Sequence, residues 1–354
     1  MPIAINGSGT LTGLSVGGLE NGIITPAELS TGAPSWDAQY NLTNVASINS
    51  GPLAGFRNAI INGNFDHWQR GTSFTGSEYG ADRWLSFRSG TTHTATRQAF
   101  TLGQTDVPGE PTYFIRTVVS SVAGAANASL LQQRIEDVRS FAGQQVTASF
   151  WAKADASKPI AIEFAQSFGT GGSPSAGVES IGVTKVTLST SWQKVTVTAN
   201  IPSINGKTLG SDNNSRLGLL IYFDAGSNFN SRTDTLGQQS GTFDIAQVQI
   251  EAGPVATPFE RRPIGTELAL CQRYFEIGRN DLCVGGGTQG TLTDVKVTSS
   301  FAVSKRTAPT VTATSTGAPV VVSSAFGFIN QILVSYSAGN NNNFAANWTA
   351  TAEL

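Results

Sequence analysis

The chain has 354 residues, with 22 Lys+Arg against 24 Asp+Glu, a formal charge of -2, 39 glycines, two cysteines and two histidines. Charged residues make up only 13%, against about 25% in an ordinary globular domain. This balance argues against a nucleic-acid binder held by phosphate contacts, which needs a basic excess, against a long coiled coil, and against a zinc or disulfide framework.

No run of 18 apolar residues occurs, so no membrane span is expected. No basic region followed by an apolar one opens the chain, so no secretory leader is expected either. Residues 1–57 are glycine-rich with spaced apolar positions, as in Gly13-Leu14-Ser15-Val16-Gly17-Gly18-Leu19. Such a segment buries too little apolar area to order alone. It reads as a docking arm, a strand-exchanging arm or a disordered leader. Thr25-Pro26-Ala27-Glu28 has the form of a helix start, with Thr25 as cap and Pro26 at the first helical position.

Residues 58–262 read as one all-β sandwich. Expected strands are Trp84–Arg88, Thr112–Ser120, Ser129–Ile135, Gln145–Lys153, Ile160–Gln166, Lys185–Leu188, Gln193–Ala199, Leu217–Asp224 and Thr242–Ile250. The stretch Lys194–Asn200 alternates valine and threonine, a half-buried pattern. The Thr242–Ile250 strand carries apolar residues on both faces and is expected to pack on both sides. The polar loops 169–177 and 206–215 are expected to project from the sandwich edge, where binding residues often sit. Residues 263–276 read as a linker and short helix capped by Thr266, with Leu268, Cys271 and Phe275 on its buried stripe. Residues 277–354 read as a small antiparallel β domain, with strands at Asp294–Val303, Thr310–Thr314, Pro319–Ser323, Gln331–Ser337 and Phe344–Ala352 and a polar tip at 340–343. Its size makes a marginal core, which favours burial against copies of itself over a monomeric tail.

Asn62-Gly63-Asn64-Phe65-Asp66-His67-Trp68-Gln69-Arg70-Gly71, followed by Ala81-Asp82-Arg83-Trp84, resembles the opening of a jelly-roll module common in tail fibres and other receptor-binding proteins of tailed bacteriophages. The likeness extends through Gln132–Glu136, Ser149–Ala154, Ser191–Val195, Ala246–Gly253, Ala256–Glu260 and Leu270–Glu276, and includes the leader at 1–30 and the ending Ala352-Glu353-Leu354. It implies a central jelly roll similar to carbohydrate-binding modules, an extended N-terminal arm that docks on tail or baseplate proteins, and a C-terminal oligomerisation or tip domain in a homotrimer. The location it implies is the virion, assembled in the host's cytoplasm. The function it implies is non-enzymatic attachment to host surface polysaccharide by a short tail fibre. A tail, baseplate or capsid decoration protein and a glycan depolymerase are the alternatives. The related modules often hold a structural calcium, and Asp66 would supply one ligand. The second carboxylate is missing, since Ala246 stands at its closest match with Gln247 beside it. No other cofactor is expected.

Each tryptophan admits two readings, core ring or platform for a sugar. Trp151, in the apolar run 148–152, and Trp192, at a strand start, read as core. Trp84 leans to core but stays a glycan candidate, as does Trp68 in a turn-like segment with His67 and Arg70. Arg70, Tyr79, Phe168, Tyr222, Asn228 and Phe229 complete the candidates. Tyr222 and Phe223 are adjacent in a strand, so one faces inward and one outward. Arg70, Asp82 and Arg83 admit either a structural ion pair or recognition of an acidic sugar. Catalysis finds little support: Glu136, Glu163, Asp224 and Asp244 are scattered, and His67 and His93 lack a nucleophile elbow beside Ser73 or Ser89.

Overall fold

The computed structural model describes residues 4–5, 11–12, 35–36, 42–43, 55–285, 295–315, 320–338 and 343–354, with side chains over 55–278, 298–314, 328–333 and 347–354. The chain divides into two units, Met1–Gly55 and Phe56–Leu354. In the first, β1 (Ala4–Ile5) pairs antiparallel with β2 (Leu11–Thr12), and β3 (Ser35–Trp36) with β4 (Leu42–Thr43). The helix start at Thr25 lies outside the described residues.

The second unit opens with β5 (Ser73–Phe74), β6 (Glu78–Tyr79), β7 (Trp84–Ser89), β8 (Thr92–Ala99), β9 (Tyr113–Ser120), β10 (Ala128–Ile135), β11 (Gln145–Ala154), β12 (Lys158–Ser167), β13 (Val178–Leu188), β14 (Gln193–Asn200), β15 (Arg216–Ala225) and β16 (Gly241–Ala252). They form two six-stranded antiparallel sheets, ordered β13-β12-β15-β10-β7-β6 and β14-β11-β16-β9-β8-β5. The chain passes repeatedly from one sheet to the other, the winding of a jelly roll. Strand β8, absent from the sequence-based expectation, has strand-favouring Thr92, Thr94 and Thr96 but few apolar residues, so its alternation carries little hydrophobic signal; pairing with β9 and β5 fixes it.

Alternation builds the core between the sheets. Val146, Ala148, Phe150 and Ala152 of β11, Val195 and Val197 of β14, and Leu217, Leu219, Ile221 and Phe223 of β15 enter one buried cluster. Strand β16 is buried along most of its length, as its two apolar faces suggest, but it does not alternate strictly. Phe243 and Ile245 point inward, and so do Val248 and Ile250. A bulge between the Trp151↔Ala246 and Ser149↔Gln249 pairs absorbs one residue, and Gln247 sits there at φ 50.

The Asn62–Trp84 motif is a structural knot. Asn62 takes a left-handed φ of 57, which Asn tolerates, and its amide nitrogen donates to the carbonyls of His67 at 2.9 Å and Asp82 at 3.0 Å. Its own carbonyl accepts the Trp84 indole N–H at 3.0 Å. A Cβ on Gly63 would fall 2.1 Å from the carbonyl oxygen of Val248, so only glycine lets this loop lie against β16.

Helix α1 (Asn230–Thr233) lies between β15 and β16. Helix α2 (Ile264–Gln272) starts after Pro263, two residues before the expected cap at Thr266. Its first-turn Glu267 pairs with Arg262 at 3.1 Å, and buried Cys271 faces the protein. Phe275 belongs not to this helix but to β17 (Phe275–Gly285), where it pairs with Thr351. The remaining strands are β18 (Val295–Ser300), β19 (Thr310–Ser315), β20 (Val320–Gly327), β21 (Gln331–Ala338) and β22 (Asn343–Thr351). They form antiparallel sheets β17-β22-β19 and β18-β21-β20. The polar tip expected at 340–343 falls outside the described residues save for Asn343.

The last residues return to the jelly roll. Glu353 pairs with Arg70 at 2.8 Å and with buried Arg83. The Leu354 carbonyl accepts the Tyr79 hydroxyl at 3.0 Å and an Arg134 N–H. Arg306 Nε donates to the Ala352 carbonyl at 3.0 Å.

Candidate functional site

Most of the aromatic residues proposed as sugar platforms have other roles. Trp84 and Phe168 are buried, and a ring with no free face offers none to a ligand. Trp68 is buried against Phe74, with its indole N–H donating to the Phe65 carbonyl at 2.6 Å. Tyr222 lies on the outward side of its strand, opposite inward Phe223, but a second apolar cluster with Leu130, Ala161, Leu220 and Leu236 covers it. Its hydroxyl donates to Glu163 at 2.9 Å, and burial pushes its pKa upward. Phe229 is half-buried 6.0 Å from the Tyr222 ring, and Asn228 is exposed in the adjoining turn. Tyr79 is tied to Leu354, while the Arg70 guanidinium stacks 3.5 Å from the Phe275 ring centre and pairs with Glu353. Arg70 and Arg83 therefore serve an ion-pair role whose chief carboxylate is Glu353, with Asp82 3.6 Å from Arg70. The polar loops 169–177 and 206–215 bind each other: Asp212 N–H donates to the Thr170 carbonyl at 3.1 Å and Ser175 N–H to the Thr208 carbonyl at 3.0 Å.

The Asp66 carboxylate accepts the Asn64 amide at 2.9 Å. Ala246 is buried opposite Trp151, and Glu260 and Glu267, which share a small pocket with Asp66, are paired with Arg262, so these residues do not fit calcium, which takes six to eight oxygens. Among the described residues, no group of three His, Cys, Asp or Glu is placed to hold a metal.

Among the candidate tryptophans, ring surface stays accessible on the outer face of sheet β14-β11-β16-β9-β8-β5. The parity that buries Phe150 turns Thr147, Ser149, Trp151 and Lys153 outward, and Trp151 is half-buried. Ser149, Trp151, Lys194 and Gln247 line a groove of about 570 Å³. One wall is the segment after β16, carrying Pro258, Phe259 and Arg261. Outward side chains of β16 fix that wall. Gln249 accepts the Glu260 N–H at 2.7 Å, and Glu251 accepts the Thr257 N–H at 2.8 Å and its hydroxyl at 2.7 Å. The other wall is the turn at Pro108-Gly109, where Gly109 has φ 79. Gln247 donates to the Pro108 carbonyl at 2.8 Å and Arg261 to the Glu110 carbonyl at 2.9 Å, so both walls are held in place.

A second depression of about 350 Å³ on the same face is lined by Arg116, Lys153, Asp155 and Asp244. Half-buried Trp192 lies beside this face, at 5.3 Å from both Phe100 and Phe114 and 5.2 Å from the Lys153 ammonium. Gln193 holds the turn that carries it, accepting the Ser189 N–H at 3.2 Å and donating to the Thr187 carbonyl at 3.1 Å. Arg116 makes a two-pronged bond to buried Asp244, at 2.7 and 2.8 Å. That hydrogen bond is the main cause of the raised Arg116 pKa.

Trp151 and Trp192, read from sequence as core, thus stand on an open sheet face. The signal was present: Trp151 shares its parity with Thr147, Ser149 and Lys153, so it belongs to the polar side of its strand. The short apolar run around it concealed that parity.

The carboxylates considered for catalysis are engaged separately. Glu163 bonds Tyr222 and Arg232, Glu136 bonds Tyr274 and Arg273, and Asp224 accepts from Thr91, Ser121 and the Gln239 amide. His93 is buried against Ser129 at 2.9 Å rather than Ser73 or Ser89, and burial lowers its pKa.

No family model and no curated protein matches the chain. Solved structures similar to it include the enzymatically active domain of tailspike protein 4 of bacteriophage CBA120, at 14% identity and TM-score 0.33, covering 59% of this chain and 24% of that one. A family 11 carbohydrate-binding module of Clostridium thermocellum is similar at 12% identity and TM-score 0.32, covering 53% and 98%. A putative sugar binding protein of Bacteroides thetaiotaomicron is similar at 16% identity and TM-score 0.34, covering 55% and 100%. The present chain thus spans about a quarter of the tailspike domain.

Proposed function

We propose that this protein is a non-enzymatic glycan-binding attachment protein, a short tail fibre of a bacteriophage virion, whose jelly roll meets host surface polysaccharide through the outer face of sheet β14-β11-β16-β9-β8-β5. The observation that carries the binding reading is Trp151, half-exposed in a groove walled by Gln247, Phe259 and Arg261. A flat indole edged by amides and cations matches a pyranose, which presents apolar C–H groups on its face and hydroxyls on its rim. The virion setting rests on the sequence resemblance at 1–30 and 62–84. The non-enzymatic reading is supported by Asp244, bound in two-pronged fashion to Arg116 instead of standing free opposite a second carboxylate.

In this reading the chain is a homotrimer, and three weak grooves on one fibre gain avidity through effective concentration. The test uses the full chain on an array of bacterial surface polysaccharides, with Trp151→Ala beside it. The unaltered protein binds at least one of them, and the variant binds about tenfold or more weakly, a loss of about 1.4 kcal/mol. Equal binding by the two removes the groove from the function. A monomer at micromolar concentration in sedimentation removes the fibre, and shortened polysaccharide after incubation makes the protein an enzyme.

A further inference from the structure

We infer that the groove around Trp151 selects a carboxylated sugar, such as a hexuronate, over a neutral one; the inference rests on the glycan-binding reading above. The groove is lined by Lys194 and Arg261 and by no carboxylate among the described residues. Both cations are exposed, and neither makes an ion pair among the described residues. Lys194 Nζ reaches only the Thr257 carbonyl, at 3.5 Å, and Arg261 only the Glu110 carbonyl, at 2.9 Å.

The acids near the groove are already engaged. The Glu110 carboxylate accepts the Gly103 amide at 3.2 Å. Glu251 is buried and faces Arg57 at 3.3 Å while accepting from Thr257. Glu260 takes the Asn58 N–H at 2.8 Å. In the neighbouring depression Asp244 is held by Arg116, and Lys153 stands 3.8 Å from it. The adjacent depression is thus electrically closed, whereas the Trp151 groove carries two positive charges with no internal anion.

Buried Glu251 acts on Lys194, and Arg261 also borders a pocket with Asp66, Glu260 and Glu267, but no carboxylate enters the groove itself, so two cations beside an aromatic ring set its charge. Arg261 is tethered by its backbone acceptor, which leaves further guanidinium N–H groups to meet a planar carboxylate. Lys194 adds a point charge from the strand on the other side of Trp151. A ring stacked on the indole would carry its carboxylate between them. A neutral sugar would bring no anion to either cation and would gain only the stacking and hydroxyl contacts.

The experiment measures retardation of the native full-length protein in gels containing polygalacturonate, alginate or colominic acid. Fully methyl-esterified polygalacturonate and dextran serve as neutral controls, and dextran sulfate as a charge control. The variants are Trp151→Ala, and Lys194→Gln with Arg261→Gln together. Both substituted cations sit on the surface, and unchanged thermal midpoints certify the fold. The expected result is retardation by at least one carboxylated polymer, lost on esterification, with at least tenfold weaker affinity in the double variant and in Trp151→Ala. Equal retardation by neutral polymers, abolished by Trp151→Ala, keeps the glycan reading and overturns the carboxylate inference. Retardation by dextran sulfate that Trp151→Ala leaves intact reports nonspecific charge and overturns it as well. If no polymer retards the protein, both readings fall.

Discussion

Replacing Glu353 with Ala tests how the C-terminal sheets are fastened to the jelly roll. The Glu353 side chain is 8% exposed and pairs with Arg83, which is 1% exposed, and with Arg70. Arg70 keeps Asp82 at 3.6 Å, so its charge remains compensated. Arg83 keeps only the Arg134 carbonyl and the Tyr274 ring, 3.5 Å from its guanidinium carbon. Removing one partner of a buried pair costs about 3–5 kcal/mol because a charge is stranded without its counterion. The two remaining contacts of Arg83 place the expected loss near 3 kcal/mol, at the lower end of that range. This is a large part of the ~5–15 kcal/mol that holds a typical domain. Glu353→Gln keeps an acceptor for Arg83 and removes only the negative charge, so it should lose less than Glu353→Ala. Urea titrations followed by tryptophan fluorescence and circular dichroism give these values. Arg83→Met combined with Glu353→Ala should cost less than the sum of the single changes, since no stranded charge remains. A loss below about 1 kcal/mol for Glu353→Ala, against that expectation for a buried pair, would refute the latch, as would strict additivity.

Gly63→Ala forces a methyl group to within 2.1 Å of the Val248 carbonyl oxygen and should destabilise by about 1–3 kcal/mol through overpacking, read as a lower urea midpoint. An unchanged midpoint would mean that the loop shifts freely away from β16. Burial lowers the His93 pKa, so the unfolded chain binds that proton more readily. The stability His93 contributes is then full above its ordinary value of about 6.5 and is lost as pH falls through the lower folded value. Between pH 7 and pH 5 the unaltered protein should lose more stability than His93→Gln, and equal losses would contradict the assignment.

Strand periodicity made the sandwich legible, because Lys194–Asn200 alternates as a half-buried strand does. The glycan candidates were less legible. Trp84, Tyr222 and Phe168 are aromatics near polar residues, a pattern shared by binding sites and by cores whose polar atoms find partners. Only the fold shows that Tyr222 lies beneath Phe229 and Leu236, or that two distant loops pair around Thr170 and Asp212. Glu353 could not be assigned to Arg83 from a sequence separation of 270 residues. The groove depends on a wall that returns over the sheet after Gly253, and no local pattern announces that path.

The bulge at Gln247 splits β16 into two stretches whose inward residues follow opposite parity. Each stretch is keyed separately to the core, by Phe243 and Ile245 on one side and by Val248 and Ile250 on the other. Gln247 itself belongs to neither set. It carries a left-handed φ and holds the Pro108 wall, whereas substitutions at outward Trp151 and Lys194 should change the outer face while leaving the packing beneath undisturbed. Natural variants that meet different surfaces should therefore diverge at these positions while retaining the inward residues. Recognition and folding would then evolve as separable traits on one strand.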